Sequence, residues 1–421
     1  MERKFGKLRH GLAAVAVLLS FGAAAQEDPE LARLLNAAAE RNPEVLAAHK
    51  EAEAAASRIE PAAALDDPML EAGLLNVPAQ SLSLRREDMT MKMIGISQRL
   101  PYPGKRQLRR DAAQKEAEAS TSAASEVLNR VRRDVKVAYR DLWLVDESLR
   151  LAQANLRVLE QVASIAESRY SVGQTTQADV FRAQTQLSRM HEEVLKLERE
   201  RPVQEAELVR AAGGGEAGVT PRAPQPREAE LRLDALRSAA RASRPQLLVQ
   251  QRMVERSTAQ LDLARKEYYP DFDVRFSYGQ RDNFQAMRRE DMISFTVAIN
   301  LPIWGEKKLE PRVAEAASMR GQAESGYQAR LNEVDAMLRQ QVAAAQQALR
   351  SVRLYEGSLL PQARLTAEAS MSAYRVGRAD FPSLLESRMT VLNAEIGRAA
   401  GVAAYNKALA EIEFLTGASL F

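Results

Sequence analysis

The chain of 421 residues carries 59 Lys and Arg against 56 Asp and Glu, and it has no cysteine. The missing cysteine excludes disulfides, thiolate metal sites and a lipid-modified N-terminal cysteine. The small positive excess belongs to the first 25 residues; without them the chain is near neutral, which argues against a nucleic-acid partner.

Residues 1–25 read as a secretory signal peptide. Arg3, Lys4, Lys7 and Arg9 precede a short apolar run from Gly11 to Phe21, and Ala23-Ala24-Ala25 supplies small residues before Gln26. That run is too short to span a bilayer, and no later stretch approaches the roughly 18 apolar residues of a transmembrane helix. A mature chain that enters a membrane must therefore do so with strands.

A first repeat is expected over 26–210. It opens with a helix from Leu31 to Ile59, a strand from Met69 to Val77, a loop from Pro78 to Asp88 and a strand from Met89 to Leu100. The 98 residues from Gly104 to Arg201 then contain no proline. Apolar residues recur there in steps of four and three, from Val131, Val135, Ala138 and Leu142 to Leu159, Ala163 and Ala166, which is a heptad seam. A second seam runs through Leu144, Leu151, Val158 and Ile165, so this helix has neighbours on two sides. From Gly104 to Tyr170 it would reach about 100 Å at 1.5 Å per residue. The chain turns at Ser171 to Thr176 and returns through Val180, Ala183, Leu187, Met190, Val194 and Leu197.

Residues 211–230 form a linker with Gly213-Gly214-Gly215 and Pro221, Pro224 and Pro226. The triple glycine lacks the lysine and flanking strand of a phosphate loop. A second repeat is expected over 231–421, with a helix from Ala235 to Lys266 and strands Asp271 to Gln280 and Asp291 to Leu301. Phe272, Val274, Phe276 and Tyr278 alternate with Asp273, Arg275 and Ser277, the period of a two-sided strand. Strands of about 9–11 residues are what an outer-membrane barrel requires. A second long hairpin follows, with Leu338, Val342, Ala345, Leu349 and Val352 going out and Leu385, Met389, Leu392, Ile396, Ala399 and Ala403 returning. Pro361 predicts a helix break or offset in its first arm.

The two halves match in order and content. Asn42-Pro43 and Arg244-Pro245 open helices at an offset of 202, and Tyr170-Ser171-Val172-Gly173 matches Tyr374-Arg375-Val376-Gly377 at an offset of 204. Arg85-Arg86-Glu87-Asp88-Met89 recurs unchanged as Arg288-Arg289-Glu290-Asp291-Met292, at an offset of 203. The fold class is therefore mostly α with a small β part, a duplicated unit of long helical hairpin plus two-stranded β-hairpin. Four strands cannot close a membrane barrel, and an open sheet in lipid leaves edge groups unpaired, so several copies must share one barrel.

The two-fold repeat, the strand exits Leu100-Pro101-Tyr102-Pro103-Gly104-Lys105 and Leu301-Pro302-Ile303-Trp304-Gly305, and the Tyr170–Gly173 and Tyr374–Gly377 turns resemble the TolC-like outer membrane efflux family over essentially the whole mature chain. The resemblance implies a homotrimer with a twelve-stranded β-barrel continued by an α-helical barrel in the periplasm. It implies an exit duct of a tripartite efflux system, docked on a periplasmic adaptor (membrane fusion) protein and driven by an inner-membrane pump, of the proton-driven RND type. No cofactor is implied. The Pro-Tyr-Pro-Gly-Lys exit resembles the heavy-metal branch, cobalt–zinc–cadmium or copper–silver, more than the drug branch. The cysteine that lipidates some members of that branch is missing, so anchoring in outer membrane lipid falls to the barrel alone.

The same resemblance assigns adaptor docking to the tip turns at Tyr170, Val172, Gly173, Tyr374, Val376 and Gly377; the alternative is that these only reverse the chain. It places Asp179, Arg182, Ser383 and Glu386 at the periplasmic entrance as a gate. Against this, Asp179 would simply favour its helix N-terminus and Glu386 would be a solvated surface residue. Pro101, Gly104, Pro302 and Gly305 end strands before helices. Met89, Met91 and Met93 alternate on one strand face, as thioether ligands or as apolar barrel surface. His49 and His191 read as surface residues, and Trp143, Trp304 and Phe295 as packing or interface aromatics. An enzyme lacks support, since no metal cluster, nucleophile pairing or phosphate cradle is present. A periplasmic coiled-coil adaptor or structural protein of an export system is the alternative reading.

Overall fold

The computed structural model describes residues 28–215, 218–224, 228–283 and 288–420. The signal peptide reading falls on residues 1–25, outside this range. The first half begins with α1 (Pro29–Arg41), α2 (Pro43–Ser57) and α3 (Ile59–Ala63), where a single helix is expected from Leu31 to Ile59. Asn42 makes the break. Its backbone is extended, and its side chain accepts from the Glu44 amide at 2.8 Å and donates to the Ala211 carbonyl at 3.0 Å. Pro43 then starts the next helix, where its missing N–H costs nothing. The second half repeats the division: α6 (Leu233–Ser243) and α7 (Pro245–Lys266) meet at Arg244-Pro245, which divides the helix expected from Ala235 to Lys266.

Between these helical pairs and the long hairpins lie β1 (Met69–Leu75), β2 (Met91–Leu100), β3 (Phe272–Gln280) and β4 (Met292–Ile299). They form one antiparallel sheet in the order β1-β2-β3-β4, so the two halves meet where β2 pairs with β3. The outer strands are shorter than the sequence predicts, and β1 and β4 are the edges. The register separates the faces. Ile94 opposes Tyr278, and Ile96 opposes both Leu70 and Phe276, which in turn opposes Phe295; all of these except Tyr278 are about half-exposed or more. The other face carries Glu71, Ser97, Arg99, Asp273, Arg275, Ser277 and Thr296, with Glu71 and Arg275 ion-paired at 3.1 Å across the sheet. Met91 lies on this polar face and is buried against Gly279; Met89 precedes the strand. Met93 shares the Met91 face, whereas Met89, outside the strand, does not continue the alternation.

The long arms are α4 (Lys105–Ser171), 67 residues in one helix, and α5 (Gln177–Ala211), 35 residues. In the second half, α8 (Glu310–Leu354), α9 (Leu360–Arg375) and α10 (Phe381–Thr416) take their place. Along the α4 seam Val131, Val135, Ala138, Leu142, Leu159 and Ala166 are all buried. The helix continues through Pro202 to Ala211, beyond the proline-free stretch. At Pro361 the arm is offset and not broken. A π-helical turn, Tyr355–Leu359, precedes it and carries α8 into α9 without interruption, so Pro361 falls in a first turn where its missing N–H is tolerated. Opposite this turn, Gly397 leaves room for the Tyr355 side chain, whose hydroxyl a Cβ there would meet at 2.5 Å.

Candidate functional site

The distal ends of the two hairpins lie together. Gly173 and Gly377 have φ of 75° and 76°, the left-handed conformation that reverses a helix end. In the first turn Gly173 donates to the Tyr170 carbonyl at 3.0 Å and Gln174 to Arg169 at 2.9 Å; in the second Gly377 donates to Tyr374 at 3.1 Å and Arg378 to Ala373 at 2.8 Å. Tyr170 and Tyr374 hold matching positions with opposite surroundings. Tyr374 is buried against Phe381, with ring centroids 5.9 Å apart, whereas Tyr170 is half-exposed. Val172 and Val376 are exposed at both turns.

Arg169 joins the two turns. Its guanidinium donates to the Tyr374 carbonyl, reaches the Gln174 carbonyl at 3.3 Å and stacks 4.8 Å from the Tyr374 ring centroid. A Cβ on Gly377 would meet this guanidinium at 3.2 Å. Beneath it Val162, Ala163 and Ala166 of α4, Ala183 of α5, Met371 of α9 and Leu384 of α10 form one apolar cluster.

The four residues of the gate reading take distinct positions. Asp179 closes a capping box. The Thr176 hydroxyl accepts from the Asp179 amide at 3.3 Å, while the Asp179 carboxylate accepts from the hydroxyls of Thr175 at 2.8 Å and Thr176 at 2.9 Å. Arg182 reaches its other oxygen at 3.2 Å. Burial alone would raise the carboxyl's pKa, but the threonine hydrogen bonds and Arg182 outweigh it and hold Asp179 below the usual carboxylate range. In the second turn the two residues are exchanged: Asp380 is the N-cap and accepts from the Ser383 amide at 3.2 Å. The serine at 383 thus reflects an acid moved three positions earlier. Hydrogen bonding from Ser383 lowers the Asp380 pKa, and the nearby Asp179 charge opposes that shift. Glu386 is exposed on α10.

At the opposite end, the strand exits differ between halves. After Pro101, Gly104 caps α4 with a φ of 93°. Lys105, 4% exposed, donates from Nζ to Asp271 Oδ1 and to the Tyr269 carbonyl, both at 2.7 Å. Asp271 also accepts from the Tyr102 amide at 3.0 Å and from Arg99 at 3.2 Å, so one carboxylate of the second half fixes the first half's exit. Tyr102 and Tyr269 stack at 4.7 Å. After Pro302, Gly305 instead starts a π-helical turn, Gly305–Leu309, beside exposed Trp304. Sequence reasoning missed Asp271, Arg169 and Asp380; only Asp380, an acid just before an apolar periodic run, carried a local signal.

The histidines at 49 and 191 are exposed on helices, Trp143 is buried and Phe295 exposed. Among the described residues no group of His, Cys, Asp and Glu could hold a metal ion, and no helix is long and apolar enough to cross a membrane.

This arrangement recurs in known proteins. The chain is 25% identical over 306 residues to the cobalt-zinc-cadmium resistance protein CzcC of Cupriavidus metallidurans, covering 70% of this chain and 69% of that protein. Its fold matches the outer membrane protein VceC of Vibrio cholerae with a TM-score of 0.79 at 17% identity, over 93% of this chain and 97% of that one. CusC matches with a TM-score of 0.80 at 13% identity over 93% of each chain. The profile described as "Outer membrane efflux protein" matches residues 34–214 and again 236–418, the two stretches that each hold a strand pair and a long hairpin, and the chain belongs to that family of efflux channels, which are not enzymes.

Proposed function

We propose that this chain is one third of a homotrimeric outer membrane duct in a tripartite efflux system, passively conducting substrates to the outside, with metal cations favoured over organic toxicants. One observation carries the reading: a four-stranded sheet with an apolar face, a polar face and, among the described residues, both edge strands unpaired on their outer sides. Such a sheet is stable in lipid only when its edges close on other copies. Three copies give twelve strands, and the duplicated hairpins continue them as a helical barrel. The tip turns dock a periplasmic adaptor, and an inner-membrane pump, of the proton-driven RND type, supplies the energy. The likeness to a cobalt-zinc-cadmium resistance protein supports metal cargo.

Asp179 and Glu386 would ring the entrance three times over, with Arg182 holding Asp179 back at rest. Two measurements test the proposal. Deleting the gene should sensitise cells to cobalt, zinc or cadmium salts, and sensitivity to organic toxicants alone would reject the metal reading. In bilayers, an Asp179→Ala, Glu386→Ala double variant should lose cation selectivity, and unchanged conductance would reject the gate.

A further inference from the structure

The pentapeptide Arg-Arg-Glu-Asp-Met stands in both strand-connecting loops, at residues 85–89 and 288–292, and the efflux reading gives it no role. The structure brings the two copies together. Arg289 of the second loop pairs through Nε with Asp88 of the first at 3.1 Å and donates to the Glu87 carbonyl at 3.1 Å. Its side chain is only 8% exposed although it sits on a loop. The matching residue of the first loop behaves differently. Arg86, 203 positions earlier, is exposed and has no ion pair among the described residues.

Strand order explains the asymmetry. β2 pairs with β3, so the first loop has the second loop of its own chain as a neighbour on one side only. Its other side is flanked by edge strand β1, and the second loop likewise lies beside edge strand β4. When copies close a ring, β4 of one chain meets β1 of the next. The step from first loop to second loop is then repeated from second loop to the following chain's first loop. Applied to Asp88 and Arg289, that step pairs Asp291 of one chain with Arg86 of the next. The Asp291 carboxylate accepts from the Tyr278 hydroxyl and the Arg281 amide, which leaves acceptor positions for a guanidinium. Glu290 beside it is exposed and adds negative charge.

We infer that the repeated pentapeptide is an inter-loop clasp that a second copy of this chain completes: Asp88–Arg289 within each chain, and Asp291–Arg86 between chains. The inference rests on the trimer reading and deepens it by naming the contact that fixes neighbouring chains at the mouth. The energetic return comes from register as much as from attraction, because a planar guanidinium on a carboxylate tolerates little slippage.

The absence of cysteine makes the test direct. An Arg86→Cys, Asp291→Cys variant of the full chain, purified in detergent and treated with a short bis-maleimide, should run on denaturing gels as covalent dimers and trimers. An Asp88→Cys, Arg289→Cys variant should stay at the mass of one chain. An Arg86→Cys, Glu290→Cys variant guards against loss of folding from removing the Tyr278 partner and should also give the ladder. A native trimer whose Arg86 pairs all stay monomeric after treatment overturns the clasp and leaves the trimer standing. A native monomer overturns both.

Discussion

At the scale of single residues, the hairpin ends show how the same geometry is reached with different letters. Thr176 with Asp179 and Asp380 with Ser383 are one cap written in opposite orders. A Thr176→Asp, Asp179→Ser exchange should therefore leave the first turn intact, whereas Thr176→Ala should weaken it by about 1 kcal/mol, measured as faster amide exchange at the start of α5. The pH dependence has a fixed sign. Asp179 titrates below its unfolded value, so its contribution is fully present above about pH 3.9 and is lost as pH falls through the lowered folded value. Amide protection at residues 177–180 should be flat from pH 7 to 5 and collapse only in stronger acid. Gly173 and Gly377 are also separable: alanine at either costs about 1 kcal/mol for the left-handed backbone, and valine at 377 must in addition displace Arg169. Thermal melts should rank Gly377→Val below Gly173→Val.

At the scale of elements, the sequence was legible wherever the information is local. Period-3.5 and period-2 patterns placed the long helices and the strands, and Asn42-Pro43 and Arg244-Pro245, read as helix openings, are where α2 and α7 begin. The rest depends on partners far along the chain. Lys105 and Asp271 are 166 residues apart, and nothing near either residue announces the other. Removing one member strands the other with little solvent: Lys105→Met or Asp271→Ala should each cost about 3 kcal/mol, and the double variant Lys105→Met, Asp271→Leu should cost less than their sum. The π-helical turn was legible only as to place: Pro361 marks an offset there, but nothing local gives its π form or the closeness of Tyr355 to Gly397. Deleting one residue from Tyr355–Leu359 should rotate α9 by about 100°, turning Met371 and Tyr374 off their buried face. The tips of that variant should lose protease resistance while the sheet end keeps it.

At the scale of the molecule, membership in the outer membrane efflux family accounts for a chain built on two long hairpins and a small sheet. The Arg169 guanidinium has a consequence at this scale. It is rooted in the first hairpin and grips the backbone of the second, so the tips of the two hairpins are mechanically linked. A load applied by any partner to one is transmitted to the other, and the pair answers as a single lever. Cutting that link with Arg169→Ala would leave the coupling to the apolar cluster beneath, and the two levers would yield more independently.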